Sequence, residues 1–343
     1  MAAIEDDGGR PGVAFAFGGL TIADLFAADD AARLAELCTI VDPVSLQRFD
    51  DPRAEAALAG ANILVTGWGC PKIDAAVLVR APELKLIAHA AGSIKGWVTP
   101  DVFARGIEVV GAADANALPV AEFTLAAILF ANKRVFDFSA FYRRERRGLD
   151  LYLKADPGIG NFGKTIGIVG ASRIGRLVIE RLKSFDYTVL LYDPFVSGEE
   201  AAALGATKME FDALLAVSDL VSIHAPSLPS TRHMLDARRL GLMRDGTILI
   251  NTARGALIDE PALLRELESG RLSAVLDVTD PDVPPTDSPL YDLPNVLLTP
   301  HIAGAMGNER HRFGRLVVEE IGRFIRGEPL HHRIDPATID RQA

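Results

Sequence analysis

The sequence predicts an α/β protein of two domains, each built on a parallel β-sheet. The chain has 343 residues, which is more than one hydrophobic core usually holds. Short apolar segments alternate along it with helical segments, and strands separated by helices pair in parallel. A stretch rich in proline and glycine, residues 156–163, separates two such series. We therefore expect two α/β domains with a cleft between them.

The first series begins at residue 13. Its predicted strands lie at 13–17, 62–66, 84–90 and 107–110, with helical patterns between them such as 51–59 and 72–79. A break at 114–116 precedes a long helical segment, from 118 to about 143. Because that segment is apolar on all sides, we expect it to pack between domains or subunits.

The second series follows the proline- and glycine-rich stretch. Its predicted strands lie at 165–169, 188–192, 220–223, 247–251 and 273–278. One helix of this series has clear end signals in the sequence. Asp259 suits the N-cap, Pro261 suits the first turn, and Gly270 suits the left-handed residue that stops a helix.

Composition excludes several classes of protein. Apolar residues make up 49% of the chain and charged residues 24%, as in globular proteins, and the net charge of −10 repels nucleic acid and anionic lipid headgroups. The two cysteines, Cys38 and Cys70, are too far apart to predict a disulfide framework or a thiolate zinc site. The first twelve residues do not resemble a signal peptide, and no uninterrupted apolar run reaches about 18 residues. We expect a cytoplasmic protein without nucleic-acid, membrane or metal partners.

A glycine-containing turn indicates a dinucleotide site. The strand at 166–169 runs into Gly170-Ala171-Ser172-Arg173-Ile174-Gly175, and a helix is predicted to begin near Arg176. Helix N-terminal amides at such a turn bind pyrophosphate. Ser172 replaces the glycine that normally lets the backbone approach the phosphates, so its hydroxyl either contacts a phosphate or displaces the cofactor slightly. A tight turn without a ligand is the alternative.

The next strand ends in Tyr192-Asp193-Pro194, which places an acid 18 residues beyond Gly175. A carboxylate at this point accepts hydrogen bonds from ribose hydroxyls and repels a 2′-phosphate, so Asp193 favours NAD over NADP. The alternative is a strand-end aspartate that caps the turn beside Pro194.

Two side chains that follow predicted strands suit the reduction of a 2-oxo acid. This reaction needs a cation for the carboxylate, a proton donor for the carbonyl oxygen and a group that orients the donor. Arg254 follows the strand at 247–251, and a guanidinium binds a carboxylate bidentately. His301 follows a short apolar strand and is able to donate a proton at neutral pH. Asp282 is the candidate orienting acid.

Several motifs occur together in a familiar order along most of the chain. They are NALPVAE at 116–122, GIVG at 167–170, YDP at 192–194, HAP at 224–226, TRH at 231–233, NTARG at 251–255, LDV at 276–278 and PNVLLTPH at 294–301. On these motifs the chain resembles the D-isomer-specific 2-hydroxyacid dehydrogenase family. That family includes glycerate, phosphoglycerate and D-lactate dehydrogenases and glyoxylate or hydroxypyruvate reductases.

The resemblance implies transfer of a hydride between NAD(H) and the α-carbon of a small D-2-hydroxy or 2-oxo acid. It also implies a triad of Arg, Glu and His, in which Arg254 and His301 take the first and last positions. The middle position falls on Asp282, one methylene shorter than the family's glutamate, and Asp280 is an alternative partner for His301.

The same resemblance assigns further binding residues. The backbone amides of Gly92, Ser93 and Ile94 would receive the substrate carboxylate, with Lys95 and Trp97 close to the substrate, although a simple turn is the alternative there. The remaining assignments concern the cofactor: Asp277 would bind the nicotinamide carboxamide, and Pro226, Thr231 and Thr252 would also contact NAD. His89 is interpreted as an interior residue, and His224 and His233 are given no chemistry.

The resemblance also implies the domain organisation. A discontinuous substrate-binding domain, residues 1–112 plus 308–343, would flank an NAD-binding Rossmann domain at 113–307, both of the Rossmann or flavodoxin-like type. A homodimer is expected. Two other functions remain open: a non-enzymatic NAD-sensing protein resembling a corepressor, and a formate- or phosphite-type dehydrogenase on the same scaffold.

Overall fold

The computed structural model describes residues 9–146 and 158–341, and the chain divides into two compact units. The first unit combines Met1–Asn116 with Ala305–Ala343, and the second is Ala117–Gly304. The sequence placed these divisions after residue 112 and before residue 308. Most of the proline- and glycine-rich stretch predicted to separate the two series, residues 156–163, is described, but its first two residues lie outside the described ranges.

Each unit contains one parallel sheet. The first sheet has the order β2-β1-β3-β4-β5, and its strands are β1 Gly12–Ala16, β2 Thr39–Ile40, β3 Ile63–Thr66, β4 Leu86–His89 and β5 Glu108–Gly111. The second has the order β12-β11-β10-β9-β6-β7-β8, and its strands are β6 Thr165–Val169, β7 Thr188–Tyr192, β8 Thr207–Lys208, β9 Leu220–Ile223, β10 Ile248–Asn251, β11 Ser273–Leu276 and β12 Val296–Leu298. The predicted α/β class with parallel sheets is confirmed.

Helices connect the strands in both units. The α-helices of the described residues are α1 Ile22–Leu25, α2 Ala28–Leu37, α3 Pro52–Ala59, α4 Ala75–Arg80, α5 Pro100–Ala104, α6 Ala113–Asn132, α7 Val135–Glu145, α8 Arg173–Leu182, α9 Gly198–Leu204, α10 Phe211–Val217, α11 Ala237–Leu240, α12 Glu260–Glu268 and α13 His311–Ile325. Short 3₁₀ segments lie at Gly255–Leu257, Pro289–Tyr291, Gly307–Arg310 and Pro336–Arg341.

The residues predicted to begin and end helix α12 have these roles in the structure. The Asp259 side chain accepts a hydrogen bond from the Ala262 amide at 3.1 Å, Pro261 lies in the first turn, and Gly270 has a φ of +73°. By contrast, the prediction of a single helix from 118 to about 143 is wrong. This segment is divided between α6 and α7, because Arg134 has a φ of +49° and interrupts the helical hydrogen bonds.

Alternate residues of the strands supply two core layers in the first unit. Val13 and Phe15 of β1 pack in the layer that includes α13, whereas Ala14 and Ala16 pack in the layer that includes α3. This is expected of a parallel sheet covered by helices on both faces, because successive side chains point to opposite faces. The second sheet is divided in the same way, with Val169 of β6 in one layer and Ile168 in the other.

Helix α6 is long and apolar enough to cross a membrane by length and composition alone. A single helix of this kind is weak evidence for a span, because the core helices of globular proteins have the same composition. Ala121 and Ile128 of α6 are fully buried within the second unit. Among the residues that the structure describes, no cluster of three or more His, Cys, Asp or Glu side chains is arranged to hold a metal ion.

Helix α13 packs against α1 through Gly314. A Cβ atom at this position would lie 2.1 Å from the Leu25 carbonyl oxygen. Because this oxygen belongs to the backbone, it cannot move aside as the end of a flexible side chain could. We expect Gly314→Ala to lower the free energy of unfolding by about 1–3 kcal/mol, the usual effect of overpacking. Gly198→Ala is the matched control, because a Cβ there meets nothing within 4 Å. Equal stability of the two variants in urea unfolding would contradict this packing.

Candidate active site

The glycine-containing turn after β6 is tightly packed. Gly170 has a φ of +101°, and a Cβ atom on it would lie 2.7 Å from the Ala225 nitrogen. A Cβ atom on Gly175 would lie 2.1 Å from the Gly170 carbonyl oxygen. Both positions therefore require glycine, one for the turn and one for the close approach of α8 to the strand. The first amides of α8, a ten-residue helix, follow this turn, and amides at a helix N-terminus suit a pyrophosphate.

Ser172 is the N-cap of α8, and its hydroxyl accepts a hydrogen bond from the Gly175 amide at 3.3 Å. The hydroxyl therefore has a structural role, the capping of α8, in addition to the predicted contact with a phosphate. Arg173 is exposed and Ile174 half-buried at the start of the helix. The binding of phosphate by Ser172 or its neighbours stays a prediction.

Asp193 lies beside this turn. One carboxylate oxygen accepts a hydrogen bond from the Ala171 amide at 2.7 Å, and the other accepts one from the Phe195 amide at 2.8 Å. The turn-capping interpretation and the proposed ribose-binding position are thus compatible, since the same carboxylate caps the turn after β7 and borders the glycine-containing turn. A group that binds NAD but repels a 2′-phosphate belongs at this position.

Two further predicted cofactor residues shape one loop after β9. The Thr231 hydroxyl donates a hydrogen bond to the Pro226 carbonyl at 2.6 Å and accepts one from the Leu228 amide at 2.8 Å. His224 precedes them, fully buried beneath Gly175, with its Nε2 2.9 Å from the Ser222 hydroxyl. Burial lowers the pKa of His224 to about 3, so its imidazole is neutral at pH 7.

Arg254 lies just beyond β10 on a loop that its neighbours fix. The Asn251 side chain donates to the Arg254 carbonyl at 2.8 Å and accepts from the Ala253 amide at 3.0 Å. Burial lowers the pKa of the Arg254 guanidinium, and the charge of Asp282 opposes that effect. A guanidinium remains charged at any ordinary pH, so Arg254 is a partly buried cation whose nearby counter-charge is Asp282.

Gly255 brings the Arg254 loop against the loop after β11. A Cβ atom on Gly255 would lie 2.0 Å from the Thr279 carbonyl carbon and 2.5 Å from the Asp280 nitrogen. The Thr279 hydroxyl in turn donates to the carbonyls of Pro281 and Asp282. Asn251 and Gly255 were recognised in the sequence only as parts of a motif. Their contacts show that they position Arg254 and Asp282 together.

The predicted contact from Asp282 to His301 is not observed. Within residues 9–146 and 158–341, neither Asp282 nor Asp280 is hydrogen-bonded to the imidazole. Asp282 is exposed and interacts with Arg254, and Asp280 forms an ion pair with Arg232 at 3.3 Å. The short reach of aspartate, one methylene less than glutamate, is a physical reason for the difference. Orientation of His301 by either acid stays a prediction.

Asp277 fixes the loop that carries His301. Its buried carboxylate accepts hydrogen bonds from the Thr299 hydroxyl at 2.6 Å, the Ile302 amide at 2.8 Å and the Ala303 amide at 2.9 Å. The Asp277 carbonyl also accepts one from the His301 amide at 2.9 Å. Both carboxylate oxygens are thus engaged by the chain itself, and contact of Asp277 with the nicotinamide carboxamide stays a prediction.

His301 is held in an unusual backbone conformation by these contacts. Its φ is +55°, in the left-handed region that a residue with a side chain rarely adopts, and its imidazole is exposed.

Thr252, another predicted cofactor residue, is buried, with its hydroxyl 3.1 Å from that of Thr124 in α6.

The predicted carboxylate-binding residues lie in the first unit. Gly92, Ser93 and Ile94 follow β4, and among the described residues their three successive N–H groups donate no hydrogen bond to the chain. Adjacent unpaired amides bind an anion where a turn makes them converge, and binding of the carboxylate by this loop stays a prediction. Lys95 is exposed and Trp97 half-buried.

Removal of the Asp277 charge should release the His301 loop. Because hydrogen bonds to a charged, buried group are worth more than neutral ones, we expect Asp277→Asn to lower the free energy of unfolding by about 2 kcal/mol. Asp287→Asn, at an exposed position, is the control and should have no effect. Urea unfolding measures both, and an unchanged midpoint for Asp277→Asn would show that the carboxylate does not hold the loop.

The neutral buried histidine His224 predicts a pH dependence of stability. Its pKa is about 3 in the folded protein and 6.5 in the unfolded chain, so the unfolded chain binds more protons below pH 6.5 and stability falls as the pH decreases. Between pH 7 and pH 5 this group contributes a loss of about 2 kcal/mol, so the loss in His224→Asn should be smaller by that amount. Parallel pH profiles of unfolding for the two proteins would contradict the burial of a neutral imidazole.

Comparison with known proteins agrees with this geometry. Residues 125–303 match the family model described as "D-isomer specific 2-hydroxyacid dehydrogenase, NAD binding domain". The D-3-phosphoglycerate dehydrogenase of Mycobacterium leprae is 36% identical over 312 residues, which cover 90% of this chain and 57% of that protein. The chain thus spans little more than half the length of this relative.

Two other proteins match over more of their own length. The glyoxylate reductase of Korarchaeum cryptofilum is 34% identical over 257 residues, 75% of this chain and 77% of that protein. A crystal structure of a protein from Thermus thermophilus aligns with a TM-score of 0.74 and 30% identity, covering 94% of this chain and all of the other. The chain belongs to the D-isomer-specific 2-hydroxyacid dehydrogenase family and contains that family's NAD-binding domain.

Proposed function

We propose that the chain is an NAD-dependent oxidoreductase that interconverts a small D-2-hydroxy acid and the corresponding 2-oxo acid. The observation that supports it best is the order of three neighbouring strands, β10, β11 and β12. Arg254 follows the first, Asp282 the second and His301 the third. Because parallel strands end at one edge of the sheet, a cation, an acid and a proton donor follow adjacent strands at the ligand-binding edge.

The cofactor fits the residues of the second unit. Gly170 and Gly175 keep the turn after β6 close to the sheet, and Asp193 beside it suits a ribose without a 2′-phosphate. When bound, NAD(H) supplies or accepts the hydride. These residues support NAD as the cofactor, in agreement with the family's NAD-binding domain.

Each side chain has a definite role in this proposal. Arg254, a partly buried cation, is the proposed carboxylate ligand of the second unit, and the amides of Gly92, Ser93 and Ile94 are the proposed carboxylate-binding groups of the first unit. His301 Nε2 or Nδ1 donates a proton to the carbonyl oxygen during reduction and accepts one from the hydroxyl during oxidation. Asp282 supplies negative charge near Arg254. Asp277 acts through the loop it holds and is a positioning residue.

Two relatives carry names that concern different acids, phosphoglycerate in one and glyoxylate in the other. We propose a small 2-oxo acid such as glyoxylate or hydroxypyruvate as the substrate to test first. A homodimer and a cytoplasmic location belong to the proposal as well, and the net charge of −10 supports the absence of nucleic-acid partners.

A panel of acids tests the function. NADH oxidation is followed with glyoxylate, hydroxypyruvate, pyruvate and bulkier 2-oxo acids, and NADH formation with D-3-phosphoglycerate, formate and phosphite. We expect turnover with at least one small 2-oxo acid. His301→Asn should lower kcat about 100- to 10,000-fold, the usual contribution of general acid catalysis, and should still bind NADH.

His331→Asn is the matched control, because His331 is exposed in the C-terminal segment. NADH binding without turnover of any acid would favour the non-enzymatic sensor. Turnover of only formate or phosphite would favour the other dehydrogenase class.

A further inference from the structure

His89 lies directly before the loop proposed to bind the substrate carboxylate. It is the last residue of β4 and pairs across the sheet with Thr66, the last residue of β3. Ala90 and Ala91 separate it from Gly92, Ser93 and Ile94. The side chain is completely buried. His89 therefore lies at the carboxyl end of a strand, beneath the loop and out of contact with solvent.

The two imidazole nitrogens of His89 have different surroundings. Nδ1 lies 2.8 Å from the Thr66 hydroxyl. Nε2 is buried and has no hydrogen bond of good geometry among the described residues, although hydrogen bonding to the Ser93 backbone acts to raise the pKa of the ring. A buried polar atom without a partner is costly and calls for an explanation. If the Thr66 hydroxyl donates to Nδ1, the ring hydrogen is on Nε2, directed at Ser93.

The charge state of His89 limits what it can do. Burial lowers its pKa to about 4, so the imidazole is neutral at pH 7. It therefore supplies no cation to an acidic substrate. If Nδ1 accepts a hydrogen bond from Thr66, the neutral imidazole is left with one function, which is to donate a single hydrogen bond from Nε2.

Donation to the Ser93 carbonyl would orient the amide that follows it. In a planar trans peptide the C=O and N–H bonds point in opposite directions. A Ser93 carbonyl directed inward at His89 therefore directs the Ile94 N–H outward. That N–H is one of the three in this loop that donate to no group of the described chain.

We propose that His89 is a positioning residue for the carboxylate-binding loop, and that its Nε2–H bonds to the Ser93 carbonyl when the acid binds. This inference rests on the proposed function, in which the amides of Gly92, Ser93 and Ile94 bind the carboxylate. The hydrogen bond to the Ser93 carbonyl forms fully when the acid orders the loop, so its energy contributes to substrate affinity. Thr66 assists by holding the ring tautomer.

Two substitutions at position 89 separate this role from simple packing. The amide of His89→Gln reaches the position of Nε2, whereas that of His89→Asn reaches only the position of Nδ1. We expect His89→Asn to raise the KM for the 2-oxo acid, measured with glyoxylate, about three- to tenfold, the effect of one lost hydrogen bond. The kcat value and the Kd for NADH should stay within about twofold, and His89→Gln should restore most of the KM.

Thr66→Val provides a second route if either variant at position 89 fails to fold, and it should raise KM in the same direction. His331→Asn should change nothing. A wild-type KM in both His89→Asn and Thr66→Val would overturn the proposal. Equal increases in His89→Asn and His89→Gln, accompanied by equal losses of Tm, would also overturn it, because packing would then explain both. Absence of turnover in the wild-type protein would instead refute the proposed function, and this inference with it.

Discussion

The buried carboxylate of Asp277 is the interaction on which the arrangement of the candidate site depends. It lies immediately after β11 and binds the hydroxyl and the amides of the loop that follows β12. On the other side of β11, the absence of a side chain at Gly255 allows the loop after β10 to touch Thr279. The Asp277 carboxylate and the close approach at Gly255 thus join three neighbouring loops at one edge of the sheet. Arg254, Asp282 and His301 are placed by these contacts.

The left-handed conformation of His301 illustrates the energetic consequence. Such a conformation costs of the order of 1–3 kcal/mol for a residue with a side chain and persists only where its surroundings enforce it. Here the Asp277 carbonyl accepts the His301 amide, and the Asp277 carboxylate accepts the next two amides. The strain is offset by hydrogen bonds to a charged group, which are stronger than those between neutral groups.

Much of the fold could be predicted from the sequence, because buried parallel strands are short apolar runs between helices. The strands β6, β7 and β9 lie where the pattern placed them. The edge strands β2 and β8 have two residues each, too few to produce a pattern. The helix predicted from 118 to about 143 is divided at Arg134, where nothing in the run of apolar residues signals a left-handed residue.

The candidate site could be predicted in its residues but not in its contacts. The positions of Arg254, Asp282 and His301 after successive strands follow from strand order. Asp282 pairs with Arg254, and Asp280 pairs with Arg232. These pairings depend on the reach of the side chains and on the shape of loops, whose sequences lack the periodic apolar pattern of helices and strands. Ser172 and Asp277 show the same limit: each was interpreted as a ligand-binding group, and each satisfies backbone amides of its own chain.

The stereochemistry of hydride transfer tests the central claim most directly. Hydroxypyruvate is incubated with the protein and with NADH deuterated at both C4 positions, and the product is examined by mass spectrometry and chiral chromatography. We expect D-glycerate that carries one deuterium at the α-carbon. Formation of L-glycerate, or of glycerate without the label at that carbon, would contradict it.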